Sequence, residues 1–108
     1  MPIASRSDLE TAYYNKEYNG GKYVHISTST TTVAKTGAGM LDMVNINTKG
    51  TVASTVTIYD NTTASGTIIA VIDSLNFNGT LHYDAPFLIG LTIVTTGTVA
   101  PDVTVTFN

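Results

Sequence analysis

At 108 residues, with a net charge of −3 and no cysteine, the chain has the length of one domain and has no route to disulfides, thiolate catalysis or cysteine-based zinc sites. Its Lys and Arg residues end at Lys49, while Asp60, Asp73, Asp84 and Asp102 follow with no cation to offset them; without a basic stripe to displace counterions from phosphates, no direct nucleic-acid partner is expected. No run reaches the roughly 18 consecutive apolar residues of a membrane span, so no membrane association is expected either.

The chain opens with MPIASRSDLETAYYNKEYNGGK, residues 1–22, which holds much of the charge (Arg6, Lys16, Lys22, Asp8, Glu10, Glu17) and three tyrosines, Tyr13, Tyr14 and Tyr18. Its first ten residues lack the long apolar core of a secretory signal, so export is not expected. Ser7 and Glu10 fit a capping box, which predicts a short helix over 7–14, and the glycines at 20 and 21 end it. This segment reads as a docking arm leading into a β-domain over 23–108.

From Tyr23 onward the composition changes to Thr, Val, Ile and Tyr, residues that suit a pleated, half-buried surface. Strands are expected near 23–28, 31–35, 40–47, 52–59, 67–73, 79–84, 89–96 and 102–107. In STVTIYD, Val56 and Ile58 point one way while Thr55, Thr57 and Tyr59 point the other. In DVTVTFN, Val103, Val105 and Phe107 alternate with Thr104 and Thr106. Such period-two alternation marks a strand with one buried face. Turn words rich in Gly, Asn, Asp and Pro separate the runs: KTGAG, NTKG, DNTTASG, NFNG, YDAP and TTGTVAPD. About eight short antiparallel strands with tight links predict an all-β, jelly-roll-like sandwich.

Two runs do not alternate. Phe87–Val94, FLIGLTIV, is apolar almost throughout, and Thr67–Ile72 places Ile68 and Ile72 on one face and Ile69 and Val71 on the other. Strands apolar on both faces are buried on both. One face meets the core, and the expected cover for the other is a second copy of the chain, with a loop or the arm as the alternative. The expected self-association residues are Ile69, Val71, Leu88 and Val94.

The search for chemistry finds no motif. His25 and His82 lie in predicted strands, in YVHIS and TLHYD; a metal site could combine them with Asp84 or Asp73, but an ordinary strand hydrogen bond is the stronger expectation. Asp60–Gly66 lacks the repeated carboxylates of a calcium loop and reads as a hairpin. Asn61-Thr62-Thr63 and Asn78-Gly79-Thr80 match the glycosylation pattern but read as turns. With no nucleophile elbow, zinc helix or phosphate loop, neither an enzyme nor a cofactor is expected. Tyr59 and Tyr83, at strand ends, are the candidates for stacking on sugar rings.

The stretches GMLDMVNINTKGTVASTVTIYDNTTASGTIIAVID (39–73) and APFLIGLTIVTTGTVAPDVTVTFN (85–108) resemble small β-sandwich virion proteins of tailed bacteriophages, of the head decoration (cement) kind. The resemblance covers roughly two-thirds of the chain and leaves the arm outside it. It implies a homotrimer on the surface of the virion head, made in the host cytoplasm, that bridges neighbouring subunits of the major capsid protein. The arm residues Arg6, Tyr13, Tyr14 and Tyr18 would then dock on the shell. A tail, neck or baseplate adaptor and a carbohydrate-binding module are the alternative readings.

Overall fold

The computed structural model describes residues 21–108. Over that span the chain forms β1 (Lys22–Ile26), β2 (Thr30–Thr36), β3 (Gly39–Thr48), β4 (Thr55–Asp60), β5 (Thr67–Ile72), β6 (Gly79–Phe87), β7 (Gly90–Thr96) and β8 (Asp102–Phe107). No helix among the described residues is long and apolar enough to cross a membrane. The expected arm, its helix over 7–14 and Arg6, Tyr13, Tyr14 and Tyr18 lie outside the described residues.

The strands make two four-stranded sheets, ordered β1-β8-β3-β6 and β2-β7-β4-β5, with every pairing antiparallel. Every connection except β4–β5 passes from one sheet to the other. This order is a jelly roll, an all-β sandwich in which the first and last strands lie side by side. The expected fold class is therefore the observed one.

The alternating strands bury the residues expected of them. Val56 and Ile58 of β4 face Val103, Val105 and Phe107 of β8 across the core, joined by Leu41, Val44 and Ile46 of β3 and by Leu91 and Ile93 of β7. Each such side chain contributes roughly 1.5–3 kcal/mol on burial. With no cysteine in the chain, no disulfide supplements that core.

Three local features depart from the sequence pattern, each for a physical reason. First, FLIGLTIV is not one strand. Phe87 ends β6, Leu88 and Ile89 form the turn, and Gly90 begins β7. The turn is fixed from outside: the Asp60 carboxylate accepts the backbone N–H groups of Leu88 (3.0 Å) and Ile89 (2.8 Å), and Gly37 N–H bonds Ile89 O at 2.8 Å. Second, β5 slips register against β4. Ile58 pairs with Ala70 but Tyr59 pairs with Ile68, so Ile69 is the bulge residue. The extra residue inverts the alternation, putting Ile68 outward while Ile72 is buried. The expectation that Ile68 and Ile72 share a face fails for that reason. Third, residues 52–54 are not strand. Val52 (φ 35°) and Ala53 (φ 58°) take left-handed dihedrals and turn the chain into β4. A similar register shift at Asp42 in β3 lets Leu41, Val44 and Ile46 all point inward despite their odd spacing.

Candidate functional site: the two outer faces

A jelly roll hosts shell-forming domains, sugar-binding domains and enzymes alike, so function has to be argued from surfaces. Here the outer faces of the two sheets are chemically unlike.

On the β2-β7-β4-β5 sheet, cross-strand pairing lines up Thr31–Val94–Thr57–Val71 and, one row along, Val33–Thr92–Tyr59–Ile68. These rows point away from the core, because the rows between them (Val56 with Thr95, Ile58 with Ile93) are the buried ones. Val71 is 65% exposed, and Val33 and Ile68 are about half exposed. One end of the face is covered by the chain itself. Thr92 is fully buried, and its Oγ1 donates to Asn61 O at 2.7 Å, so the β4–β5 connection folds over that end. The connection holds itself together: Asn61 Nδ2 donates to Ser65 O, and Asn61 Oδ1 accepts Thr62 N–H. It is a hairpin turn, as its composition suggests.

The sequence-predicted self-association residues therefore fall into three places. Val71 and Val94 share one row of the apolar outer face. Leu88, 77% exposed, sits off the sheet at the tip of the β6–β7 turn, beside exposed Ile89. Ile69 is half-buried against the sandwich core as the bulge residue and offers little surface to a partner.

The β1-β8-β3-β6 sheet presents polar rows instead: Tyr23–Thr106–Met43–His82 and His25–Thr104–Asn45–Thr80. His25 Nε2 lies 2.7 Å from Asp102 Oδ1, and Asn47 Nδ2 donates to the same oxygen at 2.9 Å. The Asn47 amide first, and His25 second, hold the Asp102 carboxyl below the usual carboxylate range. His25 thus makes the strand hydrogen bond expected of it. His82 lies on the same face, on β6, the far edge strand of the sheet.

The metal reading fails on geometry. Asp73 is taken up by its own turn: Oδ2 accepts Asn76 Nδ2 at 2.9 Å and Oδ1 accepts Leu75 N–H at 3.1 Å, and these bonds, the Asn76 amide foremost, lower its pKa. Among the described residues no three of His, Cys, Asp and Glu gather where they could hold a metal ion. Ser54 and Ser74 form a buried hydroxyl pair at 2.7 Å that fastens the β3–β4 and β5–β6 connections. Gly50 packs on this clasp so closely that a Cβ there would stand 2.1 Å from Ser54 Oγ.

Of the tyrosines proposed for sugar stacking, neither is placed for it. Tyr83 points inward and packs against the core, and burial pushes its phenol pKa up. Tyr59 is half-buried in the apolar outer face. Among the described residues the exposed aromatic is Tyr23, 73% exposed on the polar face. Its signal was present in YVHI: alternation with the inward Val24 and Ile26 puts Tyr23 and His25 on one side.

The chain matches no protein-family model, no curated protein and no solved structure.

Proposed function

We propose that this protein is a structural component of a virion, a decoration protein that binds the assembled head of a tailed bacteriophage and bridges neighbouring copies of the major capsid protein. The observation that carries this reading is the apolar outer face of the β2-β7-β4-β5 sheet, where Val33, Ile68 and Val71 stand in solvent although the core is closed beneath them. Val33 stands on one edge strand and Ile68 and Val71 on the other, with Val94 and Tyr59 half-buried between them; several branched aliphatics left in solvent on one sheet face favour a protein contact. In a chain this small the partner that fits is another copy, and a homotrimer is the assembly proposed.

The contribution to the head is mass action. A protein that binds only the assembled lattice opposes its disassembly, and many weak contacts repeated over a shell add through multivalency. The chain has no catalytic part in this role and requires no cofactor. Residues 1–22, with Arg6, Tyr13, Tyr14 and Tyr18, are the proposed contact to the capsid.

The test is reconstitution. Full-length protein is added to purified heads that lack it, and a variant without residues 1–22 is added in parallel. Saturable binding of the full chain at hundreds of copies per head, lost on deletion of the arm, is the expected result. Binding at a dozen copies or fewer, confined to one vertex or to tails, overturns the decoration role in favour of a tail or neck adaptor.

A further inference from the structure

The outer face of the β1-β8-β3-β6 sheet carries a chain of hydrogen-bonded side chains that a contact between copies through the opposite face leaves unused. Thr80 Oγ1 donates to Asn45 Oδ1 at 2.6 Å, and Asn45 Nδ2 donates to Asn47 Oδ1. Asn47 Nδ2 in turn reaches Asp102 Oδ1 at 2.9 Å and Thr104 Oγ1 at 3.0 Å, and His25 closes the chain on Asp102. The series runs from β6 through β3 and β8 to β1, so it spans the whole sheet, about 14 Å at a strand spacing of about 4.8 Å. His25 and Asp102 keep 52% and 36% of their side-chain surface in solvent.

We propose that this face binds a neutral oligosaccharide. Each sugar hydroxyl both donates and accepts a hydrogen bond. Amide, carboxylate, imidazole and hydroxyl side chains in one row offer both partners to it. Because these side chains already hold one another in place, less rotamer entropy remains to be lost when a ligand arrives. Tyr23 stands two residues from His25 on the same side of β1, and its exposed ring supplies an apolar surface with a polar tip for the C–H face of a pyranose.

Charge selects the class of ligand. Lys22 is the only Lys or Arg in the four strands of this sheet, and it shares the parity of Val24 and Ile26, not that of Tyr23 and His25. Among the described residues, no Lys or Arg within these strands stands beside the Asp102 carboxylate to hold an acidic glycan or a phosphate. A protein partner fits less well, because the centre of a protein interface is depleted of charged groups and rich in apolar anchors. The length of the polar row suits a short oligosaccharide rather than a single sugar. Many copies on one particle would turn modest affinity per face into firm attachment, but the proposal does not depend on the shell reading.

The experiment is a glycan array carrying neutral and acidic oligosaccharides, probed with the full chain multimerised on streptavidin. Tyr23→Ala, Asn47→Ala and Ala38→Ser variants are probed beside it, each checked for an unchanged fold by circular dichroism. Retention of neutral glycans by the wild type is expected. Tyr23→Ala and Asn47→Ala should each lose about tenfold or more in apparent affinity, the scale of one good contact, and Ala38→Ser, exposed in the β2–β3 turn, should lose none. An array blank for neutral glycans, binding confined to acidic ones, or folded Tyr23→Ala and Asn47→Ala proteins that bind like wild type would each overturn the proposal.

Discussion

The two sheets of this sandwich bury the same kind of inner face and present opposite outer ones. β4 and β7 put Ile58 and Ile93 into the core, and β3 and β8 put Val44 and Val105 there. Outside, the first sheet shows Val33, Ile68 and Val71, and the second shows His25, Asn45, Asn47 and Thr80 in a hydrogen-bonded row. Folding requires only the inner faces. Whatever distinguishes the outer ones is therefore free to serve something other than stability, and under the proposed function the branched aliphatics that the first sheet leaves in water are where a partner sits.

The sharpest way to separate the two roles is to cut the same sheet from both sides. Ile58→Ala removes a fully buried side chain and should cost about 2–5 kcal/mol, read as a large fall in the denaturation midpoint. Val71→Ala, on the neighbouring strand but pointing outward, should change that midpoint by no more than about 0.5 kcal/mol once the protein is dilute enough to be monomeric. Equal losses at the two positions would break the distinction between inner and outer face.

Acid should act on both sheets through their carboxylates. Asp60 is held down chiefly by the Ile89 and Leu88 backbone N–H groups, and Asp102 by Asn47 and then His25. A carboxylate whose pKa is lower in the folded state stabilises that state above its unfolded value, near 3.9. The contribution is lost as pH falls through the lower, folded value. Melting temperature should thus fall progressively below about pH 4. Asp60→Asn should melt lower at neutral pH and lose less on acidification, because the β6–β7 turn loses an acceptor that the amide replaces poorly. An unchanged acid profile in that variant would show that the turn does not depend on Asp60.

The last expected effect is a gain. Val52 is a β-branched residue held at φ 35°, outside both sheets and exposed. Val52→Asn should relieve strain and raise stability by about 1 kcal/mol, without altering association or any property of either face. A loss of stability there would mean that the Val52 side chain contributes packing that outweighs the strain.

Much of this fold was legible in the sequence because its strands are written in alternation. STVTIYD and DVTVTFN each keep one parity from end to end, and their buried residues follow directly. Legibility ended where a distant group decides a local conformation. Nothing in PFLIG announces a turn at Leu88 and Ile89, since what fixes it is Asp60, far away in sequence and brought near only by the fold. The bulges at Asp42 and Ile69 reverse parity in mid-strand with no local signal in the residues around them, so period-two alternation alone puts Ile68 on the wrong face. Strand order depends wholly on long-range pairing. For the polar row, the residues were visible but their alignment was not. His25, Asn45, Asn47, Thr80 and Asp102 come from four strands, and only the registers of β8 with β1 and of β3 with β8 and β6 bring them together.

The claim on which the account turns is that the outer face of β2-β7-β4-β5 is a contact between copies of this chain. Light scattering behind a sizing column tests it directly, on the full-length protein and on Val71→Asp over a wide range of concentrations. The account predicts a stable mass near three times the 11.4 kDa of one chain for the wild type, and a shift to the single-chain mass for the variant. A wild-type protein that stays at the mass of one chain at every concentration, or a Val71→Asp protein that assembles as the wild type does, would contradict it.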